Sequence, residues 1–212
     1  MLLNDVIKKY INELVKTIYF VKQLIWKKNY PLNSNGKVYV HLGCGKIESK
    51  EFINVDNRPF THIHHIHDVT SLPFFKDDFA DLIYASHILE HLPMNKLESV
   101  LLEWRRVLKK GGVLRIGVPN FDTILNIYKD SQNSIGHIWQ SLMGGQDYPE
   151  NFHYSIFNKN YMVELFNKVG FVQVKEWDPN KVENHNFSDW TSVKFIINDK
   201  EYPISLNLEA IK

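Results

Sequence analysis

A single cysteine, Cys44, is all that 212 residues contain, so the chain has no internal disulfide and cannot hold zinc in a cluster of thiolates. That usage suits a reducing compartment. An excess of one charge is also missing: Lys+Arg 25 against Asp+Glu 24 leave a formal net charge of +1, too little to steer the chain toward duplex nucleic acid. Nucleic acid is not an expected partner. No apolar run reaches the roughly 20 residues needed to cross a bilayer. The N-terminus lacks the basic start, unbroken apolar stretch and small-residue cleavage site of a secretory signal. A cytoplasmic location is expected. With 44% hydrophobic and 23% charged residues, the chain can bury one sizeable core, and a second full domain would be a squeeze.

Residues 1 to about 28 place Leu3, Ile7, Tyr10, Ile11, Leu14, Ile18, Val21 and Ile25 on one helical face, the spacing of an amphipathic helix. Lys8, Lys9, Lys16, Lys22, Lys27 and Lys28 face only Asp5 and Glu13 as counter-charges. The preferred reading is a helix packed on the domain, lying over its site or forming a homodimer contact. Weak attachment to the inner face of an anionic membrane is the alternative. Pro31 and Asn33-Ser34-Asn35-Gly36 then make a turn, dividing this helix (residues 1–30) from a domain over residues 37–212.

From Lys37 the pattern changes to short apolar runs separated by helical stretches. Val38–Leu42, Phe52–Val55, Ile63–Val69, Leu82–Ala85 and Val113–Val118 read as buried strands, near-continuous in apolar or β-branched residues as parallel strands are. Leu97, Val100, Leu101, Trp104, Val107 and Leu108 form the apolar face of a helix, with Gly111 expected to cap it. A helix from Lys159 to Val169 and strands Phe171–Trp177 and Ile204–Ile211 follow. This alternation predicts an α/β fold. Only a few residues separate Gly45 from Phe52, fewer than a parallel crossover normally takes. The first crossover helix is therefore expected to be reduced to a turn.

His41-Leu42-Gly43-Cys44-Gly45 follows the first strand, so its glycines can let the backbone turn tightly beside a ligand. The third glycine of a dinucleotide fingerprint is missing, since position 48 is Glu48. Asp56 ends the next strand, where a carboxylate can accept from two ribose hydroxyls. Asp68 ends the third, where it can accept from an adenine amine, with Val69 and Leu72 beside the ring. Each Asp alone is more often a turn residue. Their order along three successive strand ends is what points to a nucleoside site.

Together with Phe79-Ala80-Asp81-Leu82-Ile83-Tyr84, Leu89-Glu90-His91-Leu92, Trp104 to Gly112 and Arg115-Ile116-Gly117-Val118-Pro119-Asn120, these motifs resemble the class I S-adenosylmethionine-dependent methyltransferases. The likeness is greatest to the small bacterial branch whose glycine loop runs almost directly into the second strand. It implies a Rossmann-like, seven-stranded sheet with the last strand antiparallel and helices on both faces. It also implies S-adenosyl-L-methionine as cofactor. By the match, Gly43, Cys44 and Gly45 flank the methionine part, Asp56 the ribose, and Asp68 with Val69 the adenine. Ser86 and His87 face the sulfonium. His41 stands where the family often has an acidic residue.

The stretch from about Asn120 to Asn158 is longer than a connection requires and rich in polar groups and aromatics, which marks it as the acceptor loop. His153 is the first candidate for general base and His87 the second. Asn120, Gln146 and Tyr154 are candidates for hydrogen bonding a polyhydroxylated acceptor; Trp139, Tyr148 and Phe152 are candidates for stacking or for pinning the loop. His87-Ile88-Leu89-Glu90-His91 matches a metalloprotease spacing but begins at a strand end. It is also similar to the metal site of some ubiquinone-pathway and small-RNA ribose methyltransferases, with His87 in place of a Glu, and His153 would complete four ligands. The expected set contains no metal, with Glu90 and His91 opening the next helix. His62, His64, His65 and His67 alternate along a strand, which scatters ligands, so they are read as solvated or hydrogen-bonded.

The sequence thus predicts a methyltransferase acting on a small polar acceptor, a sugar hydroxyl or glycan precursor, in polysaccharide biosynthesis. A metal-assisted O-methyltransferase on a phenol or RNA end is the alternative within enzymes. A catalytically silent nucleoside-binding scaffold is the alternative outside them.

Overall fold

The computed structural model describes residues 29–212 and, ahead of them, Ile7, Tyr10, Ile11, Leu14, Val15, Thr17, Ile18 and Val21. These eight are helical, and Ile7, Tyr10, Ile11, Leu14, Ile18 and Val21 are exposed. The expected lysine face, with Leu3 and Ile25, lies outside the described residues.

Strands β1 (Tyr39–Leu42), β2 (Phe52–Asp56), β3 (His65–Ile66), β4 (Ala80–Ser86), β5 (Leu108–Pro119), β6 (Val172–Glu176) and β9 (Ser205–Ile211) form one sheet, in the order β3-β2-β1-β4-β5-β9-β6. β1 pairs in parallel with β2 and β4, β2 with β3, and β4 with β5, while β9 runs antiparallel to β5 and β6. The expected seven strands with an antiparallel last strand are present. β7 (Lys194–Ile197) and β8 (Lys200–Pro203) form a separate hairpin. Asn198 and Asp199 turn it with φ of 49° and 61°, the left-handed pair that a two-residue type I′ loop requires.

Helices α1 (Leu97–Val107), α2 (Phe121–Asp130), α3 (Trp139–Met143) and α4 (Lys159–Lys168) complete the regular elements beside short 3₁₀ turns. α1 and α4 bury Leu97, Leu101, Trp104, Met162 and Phe166 against Val40, Leu42, Ile83, Leu114, Ile116 and Leu208 on one sheet face. On the other face Tyr39, Phe52, Leu82 and Tyr84 lie beneath Trp177, Val182 and Phe187 of an irregular segment after β6.

Two expected boundaries move. The strand expected over 63–69 shrinks to His65–Ile66, because β2 ends at Asp56, paired with Ile66, and offers no further partner. The helix expected to run to a cap at Gly111 stops at Val107, where Leu108 turns extended (ψ 140°) and enters β5. Gly111 instead sits in the irregular start of that strand at φ 76°, its N–H donating to the Lys212 carbonyl at 3.0 Å. The first crossover contains only turns, as expected: Gly43 and Cys44 both donate backbone N–H groups to the Val55 carbonyl.

Candidate active site

β1 is where the strand order reverses, with β2 on one side and β4 on the other, the position at which open α/β sheets bind ligands beyond their strand ends. A cavity of about 960 Å³ opens there, and His41, Gly43, Cys44, Gly45, Asp56, Asp68, Val69, Ser86 and His87 all line it. Gly43 is required twice over. Its φ is 63°, and a Cβ there would lie 2.0 Å from Ile88 Cδ1.

Asp56 is buried and ties the site together: Oδ2 accepts from Gly45 N–H at 2.7 Å, and Oδ1 accepts from Arg58 N–H and Nε. Arg58 also lies over the Tyr148 ring, 5.4 Å from its centroid, joining the end of β2 to the acceptor loop. Asp68 is an exposed rim residue whose Oδ1 accepts from Thr70 N–H in a local turn. Leu72, expected beside the adenine, is fully buried in the core under α1. Burial pushes the Cys44 thiol well above its ordinary pKa, with the Asp56 charge adding to the effect, so it is a packing group.

Beyond β4 the chain takes a left-handed residue, His87, at φ 53°, an uncommon conformation for a non-glycine. His87 Nε2 bonds Ser205 Oγ at 2.8 Å, and that hydroxyl donates its own proton to the Trp190 carbonyl. His87 Nδ1 makes an ion-pair contact of 2.9 Å with Glu90 Oε1. Both ring nitrogens thus face protein groups, Ser205 Oγ and Glu90 Oε1. Glu90 is fully buried, yet no hydrogen-bond donor is aligned on either carboxylate oxygen. Burial alone would raise its pKa; the surrounding His87, His91 and His153 hold it below the ordinary value.

His153 comes from the loop between α3 and α4, which is pinned to Glu90 by the N–H groups of Tyr154 and Ser155 on the Glu90 carbonyl. Its Nδ1 lies 3.1 Å from the Ser141 carbonyl, which fixes the tautomer that leaves Nε2 as the acceptor. Burial lowers its pKa against the opposing pull of Glu90. His153, Tyr154 and Tyr148 line the cavity. Asn120 and Gln146 are not on its wall. Asn120 caps α2, its Oδ1 accepting from Asp122 N–H, and Gln146 is exposed at φ 57° with its amide on the Met143 carbonyl. Trp139 and Phe152 are likewise off the wall, and both are exposed.

One atom each from Glu90, His91 and His153 lie within 4.8 Å of one another, a group able to hold a metal ion. Three other histidines make structural contacts and His67 lines the cavity: His64 Nδ1 accepts from Asn54 N–H, His65 stacks on Phe74 at 3.8 Å, and His62 Nε2 is 3.0 Å from the Gly45 carbonyl. Residues the sequence did not flag also line the cavity, chiefly Arg58, Gln140, Asn151, Asp189 and Trp190. Arg58 follows Asp56 by two residues and was within reach of inspection; Asp189 lies in a stretch with no periodicity to read.

No curated protein matches the chain. The family model of a methyltransferase domain matches residues 42–116, from the end of β1 into β5. Among solved structures the chain is similar to a SAM-dependent methyltransferase from Archaeoglobus fulgidus, with a TM-score of 0.52 and 18% identity over 95% of this chain and 94% of that one. It is also similar to a SAM-dependent methyltransferase from Thermotoga maritima, with a TM-score of 0.50 and 18% identity over 98% and 95%. A third, from Methanosarcina mazei, has a TM-score of 0.50 and 17% identity over 88% and 94%. These likenesses fix the fold, and the domain match covers the cavity's glycine loop and the ends of β2 and β4. The fold is that of the S-adenosylmethionine-dependent methyltransferases, and residues 42–116 match a methyltransferase domain.

Proposed function

We propose that the enzyme methylates a hydroxyl of a small polar acceptor, a sugar or glycan precursor, with His153 as general base. His41, Gly43, Cys44, Gly45, Asp56, Asp68, Val69, Ser86 and His87 form the donor side, and the loop carrying His153 forms the acceptor side. The observation that carries this reading is His153 itself, with Nδ1 held by Ser141 and Nε2 left to accept. In-line transfer from a sulfonium needs mainly alignment of nucleophile, carbon and sulfur, while an alcohol must also lose a proton. Tyr148, Asn151 and Tyr154 on the wall suit an acceptor that offers hydroxyls and flat apolar faces. His153→Ala should lower the single-turnover rate with a sugar acceptor by about 10²-fold while S-adenosylhomocysteine affinity stays near wild type. An unchanged rate removes the base. Donor binding without turnover on any sugar, phenol or RNA end points to a silent nucleoside-binding scaffold.

The Glu90, His91 and His153 group favours a second reading, in which these residues hold a divalent cation that lowers the acceptor hydroxyl's pKa. A turnover abolished by a chelator and restored by a divalent metal would select it over the metal-free base. We place the enzyme in the cytoplasm. Among the described residues no helix is long and apolar enough to cross a membrane, and the exposed stripe from Ile7 to Val21 is suited to a homodimer or to the inner membrane surface.

A further inference from the structure

β1 ends on an imidazole. His41 is 1% exposed, and burial pushes its pKa down to about 3, so it is neutral at physiological pH. Its Nδ1 has no hydrogen-bond partner, and neither has the buried Oγ of Ser86 at the end of β4. Both residues line the donor cavity, as does Asp189 from the irregular segment before β7.

Asp189 has a 2% exposed side chain, and among the described residues no Lys or Arg makes ion-pair contact with it. Its contact with His185 spans 3.7 Å, and the Nδ1 of that ring is spent on the Pro179 carbonyl. Oδ1 accepts from Thr191 N–H and Oγ1–H, whereas Oδ2 accepts only from the Tyr84 hydroxyl. Burial would raise its pKa, but the nearby His185 and the hydrogen bonds from Thr191 and Tyr84 hold it well below the ordinary value. Tyr84 is the β4 partner of His41, and their rings meet at 4.9 Å. An anion, a neutral nitrogen acceptor and a hydroxyl oxygen thus belong to residues that line one cavity, with Tyr84 touching both His41 and Asp189. Three acceptors, one of them charged, match a primary ammonium and its three N–H groups.

We infer that Asp189 receives the ammonium group of S-adenosylmethionine, with His41 Nδ1 and Ser86 Oγ as its neutral partners. This rests on the donor assignment, and the anionic group reaches the site from the C-terminal part of the chain, with none supplied by β1. The Tyr84 and Thr191 hydrogen bonds hold the carboxylate in place, so Asp189 acts as a preformed socket.

Calorimetry with three ligands tests it: S-adenosylhomocysteine, its analogue with hydrogen in place of the amine, and 5′-methylthioadenosine, which lacks the amino-acid part. Wild type should prefer S-adenosylhomocysteine to the deaminated analogue by about tenfold or more, the strength of a charge-assisted hydrogen bond. Asp189→Asn should bring that ratio close to one and leave 5′-methylthioadenosine affinity within about twofold, because the lost charge faces only the amine. A ratio that survives in Asp189→Asn overturns the inference, and so does an equal loss for all three ligands, which marks a purely structural carboxylate. If the variant fails to fold, a crystal structure of wild type with S-adenosylhomocysteine decides: an ammonium hydrogen bonded to Asp189 supports the socket, and one bonded to another carboxylate overturns it. Wild type that binds none of the three ligands would instead bring down the donor assignment itself.

Discussion

The two faces of the sheet are built from the same strands and have opposite characters. Toward α1 and α4 the strands present Val40, Leu42, Ile83, Ala85, Leu114, Ile116, Val118, Leu206, Leu208 and Ala210, all apolar and all buried. Toward the irregular segment after β6, alternate positions of the same strands present His41, Tyr84, Ser86, Arg115, Ser205, Asn207 and Glu209 beside the apolar Tyr39, Phe52 and Leu82. The first face needs only shape from its cover, and two amphipathic helices provide it. On the second, each buried polar group needs a partner, which a regular helix with its own backbone bonds satisfied cannot supply. The irregular segment supplies several: Glu183 gives a carbonyl to Arg115 Nη1, Thr191 gives one to Asn207 Nδ2, and Trp177 Nε1 donates to the Ile116 carbonyl, while His41 Nδ1 and Ser86 Oγ are left without one. Gly117 allows the cover to approach, since a Cβ there would sit 2.4 Å from Thr191 Cγ2. One face holds the protein together, and the other organises the donor end of the cavity.

Truncation on the apolar face should break stability and nothing else. Leu101 is completely buried in this core. Leu101→Ala should cost about 2–5 kcal/mol in chemical denaturation, with donor affinity of the remaining folded protein close to wild type. A large loss of affinity without a loss of stability would erase the distinction between the faces.

Acid should act on the polar face. His41 is lowered to about 3 in the folded chain, against about 6.5 when unfolded. The unfolded chain therefore takes up the proton first as pH falls. Stability from this group is complete above pH 6.5 and declines below it, by up to about 1.4 kcal/mol per pH unit until the folded ring also protonates. His65, lowered to about 4 by burial and its neighbouring histidines, adds a share at the sheet edge. Denaturation midpoints of wild type and His41→Gln, measured from pH 7 to 4, should converge as the pH falls. Parallel profiles would sink the assignment.

A smaller, ligand-specific effect is expected at Asp56, also on the polar side of its strand. Asp56→Ala should weaken S-adenosylhomocysteine by about 1–3 kcal/mol in calorimetry through lost charge-assisted hydrogen bonds, while Asn57→Ala serves as the control on the same wall. The smallest effect concerns a third apolar surface, from Ile7 to Val21, exposed in the chain. Deleting residues 1–28 should lower the dimer fraction in sedimentation equilibrium, with weak vesicle binding before and after. Strong binding to anionic vesicles that fades with salt and vanishes on deletion would reassign this surface to the membrane.

The comparison also explains what could be read in the sequence. The glycine loop, the shortened crossover, Asp56 and the α1 stripe were legible because each is local: a turn residue, a strand end or a helical period carries its own signal. The apolar face was legible for the same reason. The polar cover was not, because its contacts join residues about a hundred positions apart, as in Tyr84 with His185 and Asp189. Asn120 and Gln146 were chosen by polarity within the acceptor loop, but a helix cap and a left-handed turn consumed them. The β7–β8 hairpin did leave a trace, Ile196-Ile197-Asn198-Asp199, an apolar run into a two-residue turn.

The placement of β9 sets the order of assembly during synthesis. It lies between β5 and β6, although it follows both in the chain, and its first residue, Ser205, is the hydrogen-bond partner of His87. While the ribosome still shields β9, β6 has no neighbour in the sheet and the turn after β4 lacks its anchor. A nascent chain can therefore form the glycine loop early and still be unable to present a finished donor pocket. Translation that stops before β9 should yield a product without the Ser205–His87 contact.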